Sequence, residues 1–124
     1  MVNQQTAGPG APHLSAEDLA ALRESLREQR LFRREQLRRL AGPAASRAAE
    51  RRGQGASAHL EVGVKLAASA RMVLADVEAA LARMDAGVYG ACGRCGRPLD
   101  RERLLIVPQA RYCARCQWAA AGGR

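Results

Sequence analysis

Four cysteines, arranged in two pairs, constrain the fold of this chain more than any other feature of its sequence. Cys92 and Cys95 form one C-x2-C pair, Cys113 and Cys116 form the second, and 17 residues separate the pairs. Two such knuckles supply four thiolates, which is the ligand set of a tetrahedral zinc site. The spacing therefore predicts one structural zinc ion, because four thiolates leave no coordination position open for catalysis.

Disulfides and a redox pair are the alternatives for these cysteines. A disulfide framework needs an oxidising compartment, and the first residues show no charged region followed by an apolar run. A thioredoxin-like C-x-x-C lies within alternating strands and helices, and the sequence lacks that pattern. The zinc domain, predicted at residues 87–124, is too small to fold on a hydrophobic core alone, so the metal is expected to supply much of its folding free energy.

A first long helix is predicted to begin at about Ala16. Ser15 and Asp18 form a capping box, with the Ser15 hydroxyl accepting from the Asp18 amide, and the acidic side chain lies at the positive end of the helix dipole. Gly42 and Pro43 end the helical pattern, because proline cannot donate the helical hydrogen bond. The apolar seam of this helix is predicted at Leu19, Leu22, Leu26, Leu31, Phe32, Leu37 and Leu40.

A second helical pattern runs from about Ala58 to Ala86. Gly87 follows it in the position of a left-handed C-cap. The predicted seam consists of Leu60, Val64, Leu66, Val73, Val77, Leu81 and Met84.

The predicted fold class is therefore mainly α: an antiparallel coiled-coil helical hairpin plus a small C4 zinc-finger domain. The hairpin spans residues 15–86 with a tip loop near 42–57. Residues 1–14 are predicted to form a disordered leader, because their composition cannot bury enough surface. The zinc domain is expected to end in a short C-terminal helix opened by the second knuckle. A helical bundle completed by self-association remains the alternative for the two leucine-striped helices.

The charge of the chain indicates an anionic partner. Twenty basic residues against 12 acidic ones give a net charge of +8. Four thiolates and one Zn2+ ion reduce this to about +6. Residues 91–124 hold seven basic and two acidic residues, so the sequence alone places most of the excess on the zinc domain.

Nothing in the sequence indicates catalysis or a membrane span. His13 and His59 each stand alone and are expected to be solvated. No nucleophile, base and acid grouping and no phosphate-binding glycine loop is present. No stretch approaches the roughly 20 apolar residues that cross a membrane. A non-enzymatic, cytoplasmic protein is therefore expected.

The zinc domain also carries a set of short motifs around its cysteines: Gly87-Val-Tyr-Gly90, Cys92-Gly-Arg-Cys95-Gly96, Pro98-Leu99, Arg103-Leu104, Pro108 and Tyr112-Cys-Ala-Arg-Cys116-Gln117. Together with the preceding run from Leu81 to Gly87, they resemble the zinc-finger signature of the DksA/TraR family of bacterial transcription factors. The resemblance covers the C-terminal part specifically and the N-terminal part only as an architecture.

That resemblance implies binding to RNA polymerase rather than to DNA. In the family, the globular part docks at the rim of the secondary channel, the hairpin enters the channel, and acidic residues at its tip act near the active centre. The nucleotide alarmone ppGpp binds jointly with polymerase in the family. The resemblance thus implies a regulator of transcription initiation, expected to be a monomer without sequence-specific DNA binding.

The candidate partner-binding residues follow from the same resemblance. In the zinc domain they are Arg94, Arg97 and Arg103, and at the tip they are Arg47, Glu50, Arg51 and Arg52. The family pattern places two aspartates and an alanine at the hairpin turn, whereas residues 42–57 contain no aspartate and a single acidic residue. We therefore expect the tip to act differently from that of the family.

Two other functions remain open on the sequence. C-x2-C-x17-C-x2-C is also the spacing of GATA-type DNA-binding fingers, although only Arg124 is charged among the eight residues after Cys116. A self-associating adaptor, in which the leucine seams pair between chains, is the other alternative.

Overall fold

The computed structural model describes residues 13–41 and 56–120, with side chains at 13–41 and 60–119. Its helices are α1 (Ala16–Ala41), α2 (Ala56–Ala86), α3 (Arg101–Ile106) and α4 (Ala114–Ala120). Within the described ranges there is no β-strand, only an isolated antiparallel bridge between Ala91 and Pro98. The two long helices pack as a hairpin, so the predicted fold class is confirmed. None of the helices described is long and apolar enough to cross a membrane.

The start of α1 forms the predicted capping box. The Asp18 amide donates to the Ser15 hydroxyl at 2.9 Å, and the Ser15 amide donates to the Asp18 carboxylate at 3.1 Å. Leu14, which the sequence placed in the disordered leader, is buried instead. It precedes the cap, where an apolar residue commonly packs back on the first turns and fixes how the chain enters the helix. Residues 1–12 of the predicted leader lie outside the described residues.

The end of α2 forms a Schellman motif at the predicted glycine. Gly87 has a φ of 78°, and its amide donates to the Met84 carbonyl at 3.1 Å. The Val88 amide donates to the Arg83 carbonyl at 2.9 Å. These two bonds satisfy carbonyls that would otherwise lack partners at the helix end, and the left-handed φ favours glycine over any residue with a Cβ.

The chain divides into two compact units. Residues 1–27 and 76–124, here called the zinc unit, contain the start of α1, the end of α2 and the cysteine-containing segment. Residues 28–75, here called the helical unit, contain the remaining parts of α1 and α2. The zinc unit has an apolar core, whose largest fully buried side chains are Leu22, Leu26, Val77, Leu99 and Leu104.

The helical unit departs from the predicted leucine seam. Leu31 and Phe32 are 67% and 61% exposed. On α2, three more predicted seam residues are exposed: Leu60, Val64 and Leu66. The remaining seam residues of this unit are half-buried: Leu37, Leu40 and Val73. The seam prediction is therefore wrong for most of its positions in this unit.

Small and polar residues take much of the inward side of the helical unit instead. On α2 the less exposed positions begin with small residues, Gly63, Ala67 and Ala70, and end with the larger Val73 and Leu74. On α1 the half-buried positions include Gln29, Arg30, Arg33 and Gln36. The large apolar side chains of this unit are thus divided between its interior and its surface.

The predicted tip loop at 42–57 lies outside the described residues at 42–55. Residues 56 and 57, which were placed in the loop, belong to α2. The side chain of His59 also lies outside the described residues.

The Asp18 carboxylate accepts from the Ser15 amide at the start of α1 and, at 2.9 Å, from the Arg101 guanidinium, so its removal should destabilise the zinc unit. Asp18→Asn is expected to lower the melting temperature measured by circular dichroism, whereas Glu17→Gln in the same turn leaves it nearly unchanged. The Arg101 guanidinium and the Ser15 amide hold the pKa of Asp18 well below its usual range. The carboxylate therefore contributes at every pH above about 4. A difference between the two variants that shrinks between pH 8 and pH 5 would contradict this assignment.

Candidate metal centre

The four cysteine sulfurs form one cluster. Their Sγ atoms all lie within 4.8 Å of one another, and no other group of this kind occurs in the part of the chain that the structure describes. Cys95 Sγ and Cys113 Sγ, from different knuckles, are 3.8 Å apart. Zinc–sulfur bonds of about 2.3 Å in a tetrahedron place the sulfurs about 3.8 Å apart, so the cluster fits one zinc ion. The predicted structural zinc is confirmed for this C4 finger.

A tight turn builds the first knuckle. The Gly96 amide donates to the Cys92 carbonyl at 3.0 Å, and the Cys92 amide donates to the Arg97 carbonyl at 2.7 Å. Gly96 has a φ of 79°, which a side chain would strain. The Arg94 amide points at the Cys92 sulfur, at 3.4 Å.

Gly93 has a different role from Gly96. Both glycines lie in the first knuckle, but of the two only Gly96 has a positive φ. The Gly93 amide donates to the Arg111 carbonyl at 2.8 Å. A Cβ at position 93 would stand 3.5 Å from that carbonyl, which is ordinary contact. Through this backbone hydrogen bond, Gly93 therefore connects the first knuckle to the segment that precedes the second knuckle.

The second knuckle opens a helix, as predicted. The Gln117 amide donates to the Cys113 carbonyl at 2.7 Å, within the first turn of α4. The Cys116 amide points at the Cys113 sulfur, at 3.4 Å. Both knuckles thus direct a backbone N–H at a sulfur, and such donors stabilise the thiolate form.

The surroundings of three cysteines, Cys92, Cys113 and Cys116, shift their pKa values in different directions. Burial acts to raise the pKa of Cys92, but backbone groups of Cys95, Cys113 and Arg94 outweigh it and lower the pKa to about 6. The Cys116 amide is the main cause of the lowered pKa of Cys113. Burial, together with the neighbouring sulfurs, raises the pKa of Cys116 to about 12. Four adjacent thiolates repel one another, so zinc binding must release protons and must weaken as the pH falls.

The segment between the knuckles contains a helix that the sequence did not predict. Helix α3 has six residues, and Asp100, a common N-cap residue type, precedes it without making a side-chain capping hydrogen bond. Leu99 and Leu104 anchor the segment in the core. The buried Tyr89 hydroxyl donates to the Pro108 carbonyl at 2.7 Å, and burial raises the pKa of Tyr89 to about 12.

The start of α1 is fastened to this same segment. Arg101 donates twice to Asp18, from Nε and from one terminal nitrogen, each at 2.9 Å. The His13 ring lies 2.6 Å from the Leu99 carbonyl, so His13 is not simply solvated as the sequence suggested. Both contacts join residues more than 80 positions apart in sequence, and no local sequence pattern predicts them.

The candidate partner-binding arginines lie in different surroundings. Arg94 and Arg97 are exposed on the first knuckle. Arg103 is half-buried and lines a small pocket with Asp100 and Cys113, among others. The tip residues Arg47, Glu50, Arg51 and Arg52 lie outside the described residues.

Comparisons with known proteins agree with this site and fold. Residues 87–117 match the family model of the prokaryotic dksA/traR C4-type zinc finger. An uncharacterized protein of Aquifex aeolicus (strain VF5) is 42% identical over 43 residues, which are 35% of this chain and 30% of that protein's length. The solved structure of transcription factor DksA2 from Pseudomonas aeruginosa covers 96% of this chain, and 95% of that chain is covered in turn, with a TM-score of 0.73 and 22% identity.

The fold and site together define a helical hairpin with a structural C4 zinc finger. The module at residues 87–117 is a zinc finger of the DksA/TraR family, and the chain has the fold of DksA2. The prediction of a DksA/TraR-type zinc finger, made from the cysteine motifs, is confirmed for residues 87–117.

The folded structure of the two knuckles should require zinc, whereas that of the long helices should not. Purified protein is expected to contain one zinc per chain, measured by release to a chromophoric chelator, and Cys113→Ser should lower that ratio well below one. Near-ultraviolet circular dichroism should then lose the signals of Tyr89 and Tyr112. The far-ultraviolet helical signal should persist in large part, since α1 and α2 contribute most of the helix. A zinc content that is unchanged in Cys113→Ser would contradict the assigned ligand set.

Loss of the Tyr89 hydroxyl should destabilise the zinc unit by about 1–3 kcal/mol, because the buried Pro108 carbonyl would lose its donor. Chemical unfolding of Tyr89→Phe measures this change, and Tyr112→Phe is the matched control at a partly exposed ring. The raised pKa keeps the Tyr89 hydroxyl protonated in the fold, so its contribution should be constant from pH 7 to pH 9 and decline above about pH 10. Equal stability of the two variants would argue against this role.

Proposed function

We propose that this protein is a non-enzymatic transcription regulator that binds RNA polymerase through its secondary channel and modulates initiation. The observation that carries the proposal is the combination of the DksA/TraR zinc finger at residues 87–117 with a DksA2-like fold over 96% of the chain. The solved structure bears the name of a transcription factor, and the resemblance of the sequence motifs points to the same class.

In this proposal the four cysteines are the zinc ligands and their role is architectural. Cys92 and Cys95 hold the first knuckle, and Cys113 and Cys116 hold the second. The metal would fix the segment that carries α3, and with it the contacts to His13 and Asp18. The zinc unit then serves as the docking part, with Arg94, Arg97 and Arg103 as candidate contacts.

The distribution of charge over the two units supports the helical unit as the part that contacts an anionic partner. The helical unit has ten basic and four acidic residues, a net charge of +6. The zinc unit has ten basic and eight acidic residues, a net charge of +2, and four thiolates with one Zn2+ bring it to about zero. The excess positive charge of residues 91–124 is therefore offset by acidic residues from other parts of the sequence that belong to the same unit.

The tip should act differently from an aspartate-bearing tip. Carboxylates can perturb a magnesium ion or its ligands, whereas arginines are attracted to phosphates and to acidic side chains. Arg47, Arg51 and Arg52 against Glu50 make this tip basic. In this proposal the protein acts as a monomer and does not recognise a DNA sequence itself. The proposal is compatible with ppGpp binding jointly with polymerase.

Co-purification with bacterial RNA polymerase tests the proposal. Zinc-loaded protein should co-elute with core polymerase at moderate salt, and metal-free Cys113→Ser protein should not. In an initiation assay, the double substitution of Glu50→Ala and Arg51→Ala is expected to change the amount of transcript without preventing co-elution. No co-elution of the zinc-loaded chain would reject the proposal. Tight, sequence-selective binding to a labelled DNA duplex would favour the GATA-like alternative instead.

A further inference from the structure

One face of α1 in the helical unit combines apolar and basic side chains. It consists of Leu31, Arg34, Glu35, Leu37 and Arg38, which line one shallow groove, and we call it the 31–38 face. We propose that this face binds an acidic protein surface that also presents apolar side chains. This inference rests on the proposed function, in which that surface belongs to the wall of the polymerase channel.

The geometry of the face is that of a docking surface. Leu31, Arg34, Glu35 and Arg38 follow the i, i+3, i+4, i+7 spacing that aligns side chains on one side of a helix. Leu31 is 67% exposed although it is a large apolar residue. Next to the groove, Phe32 is 61% exposed, and the Arg33 guanidinium lies 5.2 Å from its ring centre.

The charges on this stretch call for an acidic partner. Between residues 27 and 39 the chain has six arginines and two glutamates. Glu35 pairs with both Arg38 and Arg39, the latter at 3.2 Å, so one carboxylate is shared by two guanidinium groups. Arg38 and Arg39 remain 76% and 78% exposed, so they can contact carboxylates from outside.

A protein fits this face better than a nucleic acid. Phosphates would engage the arginines, but they offer nothing to an exposed leucine. Protein interfaces are enriched in aromatic residues and arginine and depleted in lysine, and 19 of the 20 basic residues here are arginine. Leu31 and Phe32 beside Arg34 and Arg38 match that composition.

A second copy of the chain fits the face poorly. Pairing of two helical units would bring together two net charges of +6. Such like charges repel at close range, which disfavours self-association through this face.

Alanine variants with matched controls test the inference. Leu31→Ala is compared with Met72→Ala, since Met72 is 69% exposed on α2 of the same unit. Arg38→Ala is compared with Arg71→Ala, an exposed arginine of α2. Alanine favours helix, so all four variants should keep the helical signal of the wild type.

Affinity for core RNA polymerase is measured by fluorescence anisotropy of labelled protein over a range of salt concentrations. Leu31→Ala and Arg38→Ala should each weaken binding by about fivefold or more, and both controls should stay within about twofold of wild type. Arg38→Ala should also reduce the dependence on salt, whereas Leu31→Ala should leave it unchanged.

The outcomes separate this inference from the proposed function. If the wild type binds polymerase and both face variants bind equally well, or no worse than their controls, the inference is overturned and the proposed function stands. If the wild type does not bind polymerase, both the proposed function and this inference are rejected. If a labelled single-stranded RNA binds the wild-type chain but not the Leu31→Ala variant, the face would be assigned to nucleic acid and the inference would also be overturned.

Discussion

The gathering of four thiolates is the constraint on which the rest of the zinc unit depends. The two pairs stand at the ends of a 17-residue segment, so bringing their sulfurs within 4.8 Å closes that segment into a loop of fixed size. Helix α3 lies in this loop, and Arg101 at its start pairs with Asp18. The influence of the metal therefore reaches the first turn of α1, although more than 80 residues separate the partners in sequence.

Sequence reasoning succeeded where the deciding chemistry is local. The capping box at Ser15 and Asp18 and the left-handed turn at Gly87 each follow from a few adjacent residues. The cysteine cluster spans a longer stretch, but thiolates at this spacing have few uses, so the zinc site was also predictable. In each case a specific side chain or backbone requirement leaves little choice.

Predictions from the sequence were wrong where burial depends on which helix surfaces pack against each other. Leu31, Phe32 and Leu60 have the spacing and hydrophobicity of seam residues, yet they are exposed while the small Ala70 is buried. Hydrophobic periodicity shows which residues could face a partner helix, but it does not weigh a close approach of small residues against a wider contact of large ones. Helix α3 and the His13 contact were missed because they depend on packing between segments distant in sequence.

The small residues on the inward side of the helical unit have a consequence for how the two parts of the molecule respond to heat. Alanine and glycine bury little apolar area, so this unit depends more on helical hydrogen bonds and on the high helix propensity of alanine. The zinc unit adds a core of leucines and a metal centre to the same backbone bonding. Local opening should therefore begin in the helical unit, and the chain unites a rigidly held part with one whose helices fray and reform more readily.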